Sequence, residues 1–179
     1  MNNKTSLFGK EHDVSVMKQA LRQAAKAFGQ DEVPIGAVVV NAQGKIIGRG
    51  YNQVMKQKTQ RAHAEALAIE RAGKKQGDWR LEDCWLYVTL EPCSMCMSLV
   101  TLSRMAGVVY GANSPLFGFH LDNTISDRVY KKDALVLVPE VCEQESVYLL
   151  KTYFQLQRKK KDESRETRNR KNKTRVIKT

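Results

Sequence analysis

Long apolar runs are missing from this chain. No stretch approaches the roughly 18 consecutive apolar residues that a membrane-spanning helix needs, and the first residues carry no apolar leader ending in a small-residue cleavage site. Together these absences point to a cytoplasmic protein. Cysteine is scarce, four in 179 residues. Two of them, Cys93 and Cys96, form a C-x-x-C pair, whereas Cys84 and Cys142 stand alone in apolar company, a pattern of reduced thiols rather than a disulfide framework. Acidic residues are outnumbered, 19 against 30 Lys and Arg. The imbalance is concentrated at one end: residues 1–150 carry 18 basic and 16 acidic side chains, a balance of +2, while residues 151–179 carry 12 and 3, a balance of +9. From Arg158 onward apolar residues all but disappear, so this segment cannot bury a face and reads as a mobile basic arm suited to neutralising phosphates. A solubilising tail is the simpler alternative. The expected organisation is one domain over residues 1–158 and a disordered arm over 159–179.

What remains is a body with enough apolar residues, 42% of the whole chain, to build one core. Val14, Met17, Leu21, Ala24 and Phe28 recur at helical spacing between Glu11 and Gly29. Two β-branched runs then predict a hairpin from about Ile35 to Tyr51, followed by a helix from near Ala62 that Gly73 stops. The segment from Cys84 to Leu90 is apolar on both parities and reads as a central strand covered on both faces. Pro92 opens a helix with Met95, Leu99 and Leu102 on one side. GVVYG and ALVLV (134–138) supply further strands, with a poorly patterned stretch over 112–132 between them. A last helix from about Cys142 to Leu156 places Val147, Leu150 and Phe154 on one stripe. Strands interleaved with helices in this order predict an α/β fold of three layers, helix/sheet/helix, around a central mixed sheet of five strands.

Two words carry the chemistry, HAE at 63–65 and PCSMC at 92–96. They offer one imidazole and two thiolates. Three N/S ligands with a fourth position left to water is the arrangement of a catalytic zinc, which lowers the pKa of that water to near neutrality. Cys93 and Cys96 lie three apart on one helical face, whose first turn favours thiolate. His63 and Glu65, only two apart, are separated by about 200° on a regular helix, so both can address one ion only if they sit at the irregular start of the second helix. Glu65 is better used to move protons than to bind the ion. A thioredoxin-like couple would leave HAE and Glu91-Pro92 unexplained. A structural zinc completed by Cys84 or Cys142 stays open, although both cysteines read more simply as core residues, and His63 taken alone could be a buried hydrogen-bonded histidine.

The H-x-E and P-C-x-x-C words are those of zinc-dependent nucleobase deaminases. With EVPIGAVVV (32–40), GRGYN (48–52), RAHAEALAI (61–69), LYVTLEPCSMC (86–96) and SRMAGVVYGA (103–112), the chain resembles the bacterial tRNA-specific adenosine deaminase family of the cytidine deaminase-like fold over roughly residues 10 to 158. The resemblance implies one zinc per subunit held by His63, Cys93 and Cys96, Glu65 as general acid/base, Asn52 as a contact to the substrate base, and a homodimer acting on the wobble adenosine of a tRNA anticodon stem-loop. Two segments depart from the family pattern: Met97-Ser98-Leu99 replaces small residues after the second cysteine, and Asn113 to Gly118 replaces a charged pair and a glycine-rich stretch. His120 reads as a loop residue rather than a pocket residue. A deaminase of free guanine, cytosine or cytidine would use the same metal site, and an RNA-binding module with a structural zinc would give Glu65 no task.

Overall fold

The computed structural model describes residues 5–121 and 135–176, with side chains of the last helix described as far as residue 168. Helix α1 (Lys10–Gly29) buries Val16, Met17, Ala20, Ala24 and Ala27 on one stripe. Strands β1 (Gly36–Val40) and β2 (Ile46–Tyr51) pair antiparallel. Their turn is built by Asn41, whose side chain accepts from the Gln43 and Lys45 amides, and by Gly44 at φ 72°, a left-handed conformation that glycine adopts without strain. A short helix α2 (Val54–Gln57) and a 3-10 turn (Gln60–Ala62) lead into α3 (Ala64–Gln76). Then come β3 (Trp85–Leu90), α4 (Ser94–Leu102), β4 (Gly107–Ala112), a 3-10 turn (Phe119–Leu121), β5 (Val136–Val138) and α5 (Glu143–Val176).

The five strands form one sheet in the order β2-β1-β3-β4-β5, with β1 antiparallel to both neighbours and β3, β4 and β5 parallel. Strand alternation splits the core in two. Ala37, Val39, Leu86, Val88 and Val108 face α3 and α4, while Val38, Val40, Trp85, Tyr87 and Val109 face α1. Helix α5 covers the α1 side, where Tyr153 meets Phe28 edge to face at 6.1 Å. This is the expected three-layer α/β fold. Its topology also sets the place of any site: β2 and β3 point the same way on either side of β1, so α3 and α4 both begin at one end of the sheet.

Several local expectations are corrected. Helix α3 passes through Gly73 and ends at Gly77, whose left-handed φ of 78° and N–H to the Gly73 carbonyl make the actual stop. Helix α4 is rotated from the expected phase: Cys96, Met97 and Val100 face inward, and Met95 and Leu102 are exposed. Apolar side chains stand all round this short helix, six of nine residues, so hydrophobicity alone could not choose the phase. On α5 the buried aromatic is Tyr153 and Phe154 is outside. That helix also runs past Leu156 through most of the segment expected to lack regular structure. Lys, Arg, Glu and Gln are good helix formers and extend a helix already nucleated on the body, with no face to bury. Ala134, residues 122–132 of the poorly patterned stretch and the final residues 177–179 of the arm lie outside the described residues.

Close packing of α3 on β2 depends on glycine. A Cβ at Gly50 would stand 2.1 Å from the Ala64 carbonyl oxygen, and one at Gly48 2.2 Å from that of Ala68. Gly50→Ala should therefore destabilise the fold by about 1–3 kcal/mol, read as a lower denaturant midpoint at unchanged m-value; an unchanged midpoint would contradict this packing.

Candidate metal centre

His63 is the residue on which the 3-10 turn and α3 meet. Its backbone is extended, at φ −61° and ψ 146°, and Glu65 already belongs to the first helical turn. The irregular helix start anticipated from the two-residue spacing is thus present, and it frees both side chains to face the same end of the sheet. Cys93 occupies the equivalent position on the second element, the N-cap of α4, with Cys96 one turn inside. The Nδ1 of His63 lies 3.8 Å from the Cys93 sulfur and 3.5 Å from the Cys96 sulfur, and the three donor atoms fall within 4.8 Å of one another.

The chemistry of this donor set fits zinc. The other ring nitrogen, Nε2, is 3.1 Å from Gln60 Oε1, a carbonyl that can only accept, which assigns the ring proton to Nε2 and leaves the Nδ1 lone pair toward the sulfurs. Gln60 therefore orients the ring; nothing in its sequence context announced this. The Cys96 thiol and then His63 hold the Cys93 thiol down at about 4, despite its partial burial. Donation to Cys93, with burial, pushes Cys96 up. Hydrogen bonding with Cys93 raises His63. A cation placed between these atoms replaces the shared protons.

Glu65 is buried, and that burial raises its carboxyl above the usual range, partly offset by its own backbone N–H and by His63. A carboxyl raised in this way is a stronger base once ionised than an exposed one. Cys84 and Cys142 are not part of the cluster. Cys84 precedes β3 while Cys93 follows it, and the six residues of the strand separate the two by about 20 Å. The structural-zinc alternative loses its fourth ligand accordingly.

Asn52 follows β2 and is buried; its N–H donates to the Ile35 carbonyl, and the next N–H, of Gln53, donates to the carbonyl of Ala62 beside His63. Its side-chain amide donates to Glu32. A second buried carboxylate, Glu91, accepts from the Ser114 N–H at 2.9 Å, the His120 N–H at 3.3 Å and His120 Nδ1 at 2.6 Å. His120 is thus a half-exposed loop residue that straps residues 113–121 to the strand end just before Pro92. The sequence carried no signal for either carboxylate clamp beyond the presence of Glu32 and Glu91 in the motif segments.

A family model for the cytidine and deoxycytidylate deaminase zinc-binding region matches residues 10–112. The tRNA-specific adenosine deaminase of Bacillus subtilis (strain 168) is 44% identical over 155 residues, 86% of this chain and 95% of the relative. A chain solved in work on A-to-I editing by tRNA:A34 deaminases at the wobble position of transfer RNA superimposes with a TM-score of 0.67 at 34% identity, covering 75% of this chain and 97% of that one. Guanine deaminase from Bacillus subtilis superimposes with a TM-score of 0.54 at 30% identity, covering 69% and 85%. Purified protein should contain about one zinc per chain, and Cys93→Ala or Cys96→Ala should lose it. Elemental analysis of the three proteins checks this, and full occupancy in both variants would remove the thiols from the ligand set.

Proposed function

Because this chain belongs to the zinc-binding cytidine and deoxycytidylate deaminase family and is closely related to bacterial tRNA-specific adenosine deaminases, we propose that it converts adenosine to inosine in tRNA, at the wobble position of the anticodon. The observation that carries the proposal is the convergence of His63, Cys93 and Cys96 beside a buried Glu65 in a chain 44% identical to such an enzyme along nearly its full length. His63, Cys93 and Cys96 hold one zinc. Bound zinc supplies a Lewis acid that makes a water nucleophilic at neutral pH.

Glu65 takes one proton from the attacking water and passes it to the purine ring nitrogen next to the reacting carbon, then takes the remaining proton of the new C6 hydroxyl and delivers it to the departing amine. The C6–O bond forms, the C6–N6 bond breaks, and water plus adenosine become inosine plus ammonia. Burial of Glu65 serves both halves, since a carboxyl with a raised pKa is a stronger base when ionised and remains able to donate afterwards. Asn52 grips the base. An unpaired anticodon nucleotide can be turned into such a site at little unstacking cost.

Residues 1–158 form the catalytic domain of this proposal and residues 159–179 its basic arm, carried on α5. Exposed Met95 and Leu102 on α4 support a homodimer that buries them, working in the cytoplasm; among the described residues no helix is long and apolar enough to cross a membrane. The likeness to guanine deaminase favours a second reading, hydrolysis of a free base, which would leave the arm without a task.

Incubating the zinc protein with total tRNA and sequencing for adenosine-to-inosine conversion tests the proposal. Conversion should be confined to anticodons with adenosine at the wobble position, and conversion of free guanine but no tRNA would favour the second reading. Glu65→Ala should keep its zinc and circular dichroism while losing turnover by at least about a hundredfold; near-normal inosine yield would refute the role of Glu65. Deleting 159–179 removes ten basic and three acidic residues. The truncated protein should bind full-length tRNA more weakly and with a shallower dependence of log affinity on log salt, because fewer counterions are released. Identical slopes and affinities would show that the arm does not touch RNA.

A further inference from the structure

We propose that Glu32 is a positioning residue for Asn52, deciding which way round the Asn52 amide faces the substrate base. The inference rests on the reading of Asn52 as a base contact and deepens it.

Glu32 sits in the turn between α1 and β1, only 1% exposed, and among the described residues no cation pairs with it. Its charge is instead met by hydrogen-bond donors from across the fold. Oε1 accepts from the Lys56 N–H at 2.7 Å, and Oε2 accepts from the Met55 N–H at 3.1 Å and from Asn52 Nδ2 at 3.4 Å. The two backbone donors open α2 and fix the carboxylate plane. An ionised carboxylate accepts and never donates, whereas the two ends of an asparagine amide are alike in shape and opposite in function. Facing Glu32, the amide must present its NH2 group, since the reverse orientation sets the carbonyl oxygen against the carboxylate.

Asn52 has little other freedom. Its N–H is tied to the Ile35 carbonyl at 2.9 Å, and Gln53 is tied to Ala62 at 3.0 Å. With the backbone held on both sides, the remaining choice is the amide flip, and Glu32 makes that choice. The carbonyl oxygen and the second amide hydrogen of Asn52 are left for the base, an acceptor and a donor in a set order.

The test uses the full-length zinc-loaded protein and full-length tRNA, comparing wild type with Glu32→Gln, Asn52→Ala and the double variant. In Glu32→Gln one carboxylate oxygen becomes an NH2; with the remaining oxygen held by the Lys56 N–H, the shorter backbone bond, the NH2 stands where Oε2 was, loses the Met55 bond and faces Asn52, which reverses the flip preference. We expect kcat/KM to fall by about tenfold or more, mostly through KM, with zinc content and circular dichroism unchanged, and the double variant to be no worse than Asn52→Ala alone. An unimpaired Glu32→Gln beside an impaired Asn52→Ala overturns the positioning role and leaves the base contact standing. Additive losses in the double variant overturn it too, because Glu32 would then act independently of Asn52. An unimpaired Asn52→Ala overturns both readings together. Should Glu32→Gln fail to fold, amide exchange in the wild type decides: one Asn52 side-chain hydrogen, assigned by its loss in Asn52→Ala, should be protected, and free exchange of both would refute the proposal.

Discussion

Helix α3 lies so close to strand β2 that positions 48 and 50 have room only for hydrogen. This contact governs the rest. It draws the start of α3, with His63 and Glu65, down onto the sheet end where β3 delivers Cys93. A helix standing one side chain farther off would hold the imidazole away from the sulfurs, because the ring reaches them only from an extended residue at the helix boundary. The metal cluster is therefore a product of sheet packing as much as of the residues that compose it.

Buried acids are arranged by the donors around them. Glu32, Glu91 and Asp13 each accept at least three hydrogen bonds, Asp13 from the Ser6 N–H and the hydroxyls of Ser6 and Tyr87. Such carboxylates serve as fixed acceptors and tie together segments far apart in the chain: the first helix to the central strand, the α1–β1 turn to the β2–α2 junction, and the 113–121 loop to the metal end of β3. Glu65 differs. It is equally buried, but burial outweighs its donors and raises its carboxyl. Among the buried acids, Glu65 is the one whose burial raises the carboxyl rather than being offset by donors from other elements.

The basic segment takes its direction from the body. Tyr153 donates to the Asp31 carbonyl, and Gln157 and Lys160 donate to the Asp31 carboxylate, so α5 is held against the turn that also carries Glu32. Beyond Lys160 the helix runs on to Val176, roughly 24 Å at 1.5 Å per residue.

By itself the sequence determined the periodic elements and the ligand types. The buried strand β3, the hairpin around Gly44 and the presence of α1 were legible because burial on both faces, turn chemistry and helical spacing are local signals, whereas only Met17 and Ala24 of the expected α1 stripe are buried and the inward face also carries Val16, Ala20 and Ala27. HAE and PCSMC were legible because three N/S donors with a nearby carboxylate have few other uses, and their two-residue spacing even demanded an irregular helix start. Tertiary structure decided what apolar character alone leaves open: the phase of α4, where both stripes are apolar, and the choice of Tyr153 over Phe154. It also decided the partners of buried polar groups, Glu32 on Asn52 and His120 on Glu91. A hydrogen bond between residues twenty or more apart leaves no periodic trace in the chain, since it depends on where two backbones meet and on which donor is left unpaired there.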